Sequence, residues 1–464
     1  MSASPTSAAQ VRRAMKLDHR GLQVTTDSDA AIGAIDHYAN ELLALGADTA
    51  SVQAAADANP DCAMLQALTA STFLYSQTTV AAKDAAPYLA RAENRLADLT
   101  EREQTFIAAV KAGCAGDVER ALALYEAIAE RWPRDMVAAK LAEFHFFETG
   151  LARRQLELMS KAAAASPDVS HVLAMHAFAL ELSGDRERAD EVAQHALQLD
   201  PLTMWAQHCR AHVFAGQARI AEGIAAMEAY APSWQKFSHY VVGHNWFHLA
   251  TLYLADLRFG AVSDAYRKYV WGYTPDAVVE QTDSILLLWY VELAGGTVDR
   301  EWREIAPHIR ANAHDHLFPF LNCIYLYALA RAGESSETAR ALSAMEQFAD
   351  RQSGGLAHVW KTVGVPLARG CVAYAERDFD RAAALLGPIL SDVPCVGGSD
   401  EQRGVFDESF LVSLIGSGRK AEARNRPRRL CCRPPRDRAD SALGGYDIDD
   451  LDDPKVQISA IRPA

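Results

Sequence analysis

No stretch of the 464-residue chain approaches the roughly 20 consecutive apolar residues that a membrane-spanning helix needs. The longest apolar cluster, Ile285 to Val291, is short and contains Trp289 and Tyr290, so it reads as part of a buried helix. Met1 to Gln10 is rich in Ser and Ala and lacks the charged-then-apolar pattern of a secretory signal. Eight cysteines are scattered, at 62, 114, 209, 323, 371, 395, 431 and 432, and none forms a CxxC pair. A reducing, cytoplasmic setting without a disulfide framework is the expectation. Positive charge is also scarce: 46 Lys and Arg against 60 Asp and Glu leave a net −14. That balance argues against a nucleic-acid partner, because phosphate tracking draws on Lys and Arg stripes.

Catalytic signatures are missing too. There is no G-x-S-x-G elbow, P-loop, dinucleotide fingerprint or H-E-x-x-H. No cofactor and no metal is expected on this reading, which leans towards binding rather than catalysis. Runs of alternating β-branched residues bounded by turn signals are absent as well.

What the chain does contain is a repeat. Gly116, Gly150 and Gly184 are 34 residues apart, and Pro133, Pro167 and Pro201 keep the same interval. This is the tetratricopeptide period. Each Gly falls at the turn between two helices, where a left-handed backbone is cheap for glycine. Each Pro falls just past the second helix, which it cannot continue. Ala121, Tyr125 and Ile128 in one unit, and Ala189, Ala193 and Ala196 in another, would pack the paired helices. Weaker copies follow at Trp246-Leu249-Ala250-Tyr253, at Arg377 to Ile389 and at Leu414 to Ala423. The expected fold is therefore all-α, a tetratricopeptide-like superhelix over residues 19–424, clearest over 102–201. Residues 1–18 read as a flexible N-terminus. From Asn425 the composition turns Arg/Pro/Cys-rich and then acidic, so 425–464 reads either as a disordered tail or as the product of a reading-frame error that replaced a closing helix.

Histidine is the informative polar residue. His208 with His212, and His244 with His248, are i,i+4 pairs that share a helix face. Counting from Met204, His208 and His212 take positions five and nine of a first repeat helix, both expected to line the concave groove. His244 falls at position two of its unit, His248 at position six, and His171 at position two of its own unit. With Trp246, Phe247 and Asp283 these residues form a candidate ligand surface. Each histidine alone is more simply a satisfied core or rim residue. A two-histidine helix site still needs further ligands; Glu181, Glu222 or Asp283 could supply a carboxylate, but no spacing shows that they converge. Gly397-Gly398-Ser399 leads into Asp400-Glu401-Gln402-Arg403 and suits a helix start capped by Ser399 or Asp400. Gln402 and Arg403 complete the candidate set, Arg403 being able to hold a carboxylate or phosphate.

At these residues the chain resembles the tetratricopeptide repeat protein 38 family. His244-Asn245-Trp246-Phe247-His248-Leu249-Ala250 looks like its H-N-W-W-H-L-A. Asp283-Ser284 through Leu287-Leu288-Trp289 to Glu292-Leu293 is similar to its D-A-x-S-L-L-W-R-L-E-L. Gly397 to Phe406 looks like its G-G-S-H-A-Q-R-D-V-F, with Asp400 in place of the His and Gly404 in place of the Asp. The resemblance runs in order over about residues 20–424. It implies the same helical fold and points to the same polar region, without naming a substrate. Two readings stay open: a scaffold that takes a protein or peptide in its groove, and a closed pocket for a small molecule built from His208, His212, His244, His248 and Arg403.

Overall fold

The computed structural model describes residues 14–424, and the tail 425–464 lies outside them. Antiparallel helical hairpins follow one another along the chain, among them Glu101–Cys114 with Val118–Arg131, Met136–Thr149 with Ala152–Ala165, and Ser170–Leu182 with Arg186–Leu199. The anticipated turn glycines are left-handed: φ is +76° at Gly116, +66° at Gly150 and +88° at Gly184. Each marker proline stands two residues beyond its helix, which ends at Arg131, Ala165 or Leu199. The architecture is the all-α helical-repeat fold that the period predicts. The only strands among the described residues are Met15–Leu17 and Gln23–Thr25, paired antiparallel. The first of them falls inside the stretch expected to be flexible.

The repeat persists further than its glycines reveal. Ala218, again 34 residues on from Gly184, holds φ +56° at the same turn position, and Leu257 and Arg377 do so in later hairpins. A left-handed L-residue costs roughly 1–2 kcal/mol, partly offset because glycine loses more freedom on folding. Ala218 is exposed and its turn needs no side chain. Ala218→Gly is therefore expected to raise stability by about 0.5 kcal/mol, readable as a higher urea midpoint. A fall in that midpoint would show that the turn is not strained.

Second helices of the hairpins bury one stripe, as Val118–Arg131 does through Ala121, Leu122, Tyr125, Ile128 and Ala129. First helices are different. Every residue from Met136 to Phe146, from Glu280 to Val291 and from Pro319 to Leu329 is buried. A helix buried all round has neighbours on every side, so the inner wall is packed over rather than open.

Contacts across the superhelix do this packing. Asp29–Ala44 lies on Met136–Thr149, and Asp400–Gly416 lies on Val278–Leu293. The Ser238 N–H donates to the Leu45 carbonyl at 2.9 Å, the Gly398 N–H to the Phe147 carbonyl at 3.2 Å, and the Thr79 N–H to Asp315 at 2.8 Å. Two hydrophobic cores meet along Met204–Gly216. Ala206, Cys209 and Val213 belong to the N-terminal one, and Met204, Ala211 and Ala215 to the C-terminal one.

Candidate histidine site

Met204–Gly216 and His239–Ala255 are first helices of consecutive hairpins and lie side by side. Each turns an i,i+4 histidine pair to the same point. His212 Nε2 is 3.2 Å from His208 Nε2, which is 3.0 Å from His244 Nε2, which is 3.1 Å from His248 Nε2. The side chains are nearly dry: His208, His212 and His248 are 1% exposed.

Carboxylates surround the outward ring nitrogens. Asp283, from Val278–Leu293, meets His244 Nδ1 at 2.8 Å. Glu401, from the first turn of Asp400–Gly416, places Oε2 2.8 Å from His248 Nδ1, off the line of an N–H bond, and 3.8 Å from His212 Nδ1. Glu181 is 3.6 Å from His212 Nδ1 and 3.5 Å from Arg186. Burial, reinforced by the neighbouring imidazoles, holds His208 well below its usual range, and burial does the same to His248. His212 is pushed down to about 3, burial outweighing the opposing charge of Glu401. Burial lifts Glu181 to about 8 and raises Asp283 and Glu401.

A small pocket adjoins this cluster and is lined by His208, His212 and His244. Its walls are aromatic: Tyr75, Phe144, Phe147, Phe178, Trp205 and Tyr240. Trp205 stacks on His208 with centroids 4.1 Å apart, and Phe178 sets its edge against His208 and His212. Lys140 and Glu143 form a buried ion pair at 2.6 Å. Lys140 also lies over the Trp205 ring, and Glu143 accepts the Trp205 indole N–H at 2.9 Å. Ser399 and Gln402 line the pocket opposite.

Four of the sequence candidates, His208, His212, His244 and His248, meet, with Asp283 behind them and Gln402 at the pocket wall. The others do not join the cluster. His171 is half-buried at the start of Ser170–Leu182, outside the pocket lining. Trp246 stacks on Tyr269 and edges Trp234, while Phe247 is buried behind His244 and His248. Helical geometry turns Trp246, two positions from His244, to nearly the opposite face, whereas Phe247, three positions on, shares its face and packs against its ring. Arg403 turns to its own loop, donating to the carbonyls of Gly397 and Gly398 and to Asp400 at 2.6 Å. The helix-cap expectation is met by Ser399, which accepts the Gln402 N–H at 3.2 Å while the Gln402 side chain accepts the Ser399 N–H.

Glu401, Phe178, Trp205, Lys140 and Glu143 were not singled out from sequence. Glu401 sits inside the Gly397–Phe406 motif, which was its only signal; the others lie on first helices with no marking motif. No metal was expected from the sequence; among the described residues His208, His244 and His248, and separately His212, His248 and Glu401, each bring three donor atoms within 4.8 Å of one another.

Fold and site together define an all-helical repeat protein with a buried histidine centre beneath an aromatic pocket. No family model matches the chain. A chain of the human IFIT1 dimer solved with PPP-AAAA is similar over 78% of this chain and 89% of its own, with 13% sequence identity and a TM-score of 0.34. No helix among the described residues is long and apolar enough to cross a membrane.

Proposed function

We propose that this protein binds a small molecule, taking its apolar or aromatic body into the pocket and turning a polar end to the histidines. The observation that supports this over a peptide groove is the enclosure. The first helices are buried on their inner side, and the turn before Asp400 crosses to Phe147 and closes the space where an extended peptide would lie. The aromatic walls with a few convergent polar groups suit a compact ligand. Kinship with the tetratricopeptide repeat protein 38 family belongs to the same proposal, because the H-N-W-F-H-L-A and G-G-S segments that carry the resemblance supply two of the histidines and the pocket rim.

Native mass spectrometry of protein purified from its own host is expected to find one retained small molecule per chain. 8-Anilinonaphthalene-1-sulfonate, an aromatic body with an anionic end, serves as the probe in solution. Phe144→Trp fills the pocket without opening a cavity, and should lower both retention and probe affinity by about tenfold, or 1.4 kcal/mol. No retained mass, together with probe uptake indifferent to Phe144→Trp, would sink the reading.

A further inference from the structure

The four histidines pose a hydrogen-bonding problem that neutral side chains do not solve well. A neutral imidazole has one N–H and one lone pair. The Nδ1 of His244 faces Asp283 at 2.8 Å, which assigns its proton there and leaves a lone pair on Nε2. That lone pair faces the Nε2 atoms of both His208 and His248, at 3.0 and 3.1 Å. His248 has Glu401 Oε2 2.8 Å from Nδ1 but off the line of an N–H bond, and the Nδ1 of His208 has no hydrogen-bond partner. His212 turns Nδ1 towards Glu181 and Glu401 and Nε2 inward to His208 at 3.2 Å. Lone pairs gathered at about 3 Å repel unless a cation lies among them.

We propose that His208, His244 and His248, whose donor nitrogens all lie within 4.8 Å of one another, bind one divalent first-row transition-metal ion through their Nε2 atoms, with Asp283 behind His244, Glu401 beside His248 and a water completing the fourth position. Zinc–nitrogen distances of about 2.0–2.1 Å place tetrahedral ligand nitrogens about 3.3 Å apart, close to the 3.0 and 3.1 Å that separate His244 Nε2 from those of His208 and His248. Ligating histidines characteristically give their other ring nitrogen to a carboxylate. Asp283 and Glu401, each 2.8 Å from a ring nitrogen of the set, would supply negative charge that a dication offsets. Imidazole donors suit zinc, iron, copper and nickel, and exclude magnesium and calcium as occupants. The ion would face the pocket at His208 and His244, yet the site requires no pocket ligand.

The test uses the full chain, stripped with a chelator and titrated with Zn²⁺ or Co²⁺. One equivalent of either ion is expected to survive gel filtration, with the intense visible bands of four-coordinate Co²⁺. Asp283→Asn should weaken Zn²⁺ binding about 10–100-fold. His208→Gln with His244→Gln should abolish stoichiometric uptake. If that double variant fails to fold, Asp283→Asn and the wild-type cobalt spectrum still decide. Uptake below one equivalent by the wild type, a pale six-coordinate spectrum, or full uptake by a folded double variant would each overturn the proposal. Phe144→Trp should leave metal uptake unchanged, which separates this site from the pocket reading.

Discussion

Gly397→Ala is expected to cost about 3 kcal/mol or more, and to open the pocket. Two penalties add at this residue. Its backbone, at φ +93° and ψ −173°, lies in a region essentially reserved for glycine. A Cβ there would also stand 2.2 Å from the Glu148 carbonyl oxygen, a backbone atom that cannot swing aside. Relief requires the 393–399 turn to back away from Met136–Thr149. The Gly398-to-Phe147 hydrogen bond then breaks, Ser399 and Gln402 leave the pocket wall, and Glu401 withdraws from His248. Gly116→Ala is the control, since its φ of +76° carries strain but a Cβ there meets nothing. That control should lose only about 1 kcal/mol. Urea unfolding with equal m-values measures both. Equal losses in the two variants would mean that the turn does not hold the superhelix closed.

Lys140→Met should be nearly as damaging, at about 3 kcal/mol, because it strands Glu143. Both side chains are only about 5% exposed and meet at 2.6 Å. With the ammonium gone, the carboxylate keeps the Trp205 indole N–H as its remaining hydrogen bond among those observed. Breaking a buried pair from one side costs far more than replacing it whole. Lys140→Met with Glu143→Gln should therefore recover most of the loss, since glutamine still accepts from Trp205 and carries no charge. A double-mutant cycle reads this coupling directly. Trp205 also stacks on His208, so the single variant should loosen the pocket while the double restores it. A single-variant loss below about 1 kcal/mol would show that water reaches the pair.

Much of this architecture is legible in the text of the chain. Gly116, Gly150 and Gly184 mark turns because an L-residue pays for a left-handed backbone and glycine does not. The same rule hides the next unit, where Ala218 takes that conformation regardless, its cost absorbed by the packed helices on either side. The His208–His212 and His244–His248 pairs were likewise readable, because helical spacing alone puts i and i+4 on one face.

Sequence by itself thus determined the helical hairpins, their period and the pairing of histidines within each helix. These are local properties, set by turn stereochemistry and by 3.6 residues per turn. Only the tertiary structure decided that the two pairs meet tip to tip, that Glu401 arrives behind them from the far end of the chain, and that Arg403 turns away to its own loop. Trp246 and Phe247 show the same limit, both spent on packing in spite of their place in the strongest motif. The physical reason is closure. Which residues share a site depends on how far the superhelix curls, and contacts such as Gly397 against Glu148 set that curl across a separation no local spacing encodes.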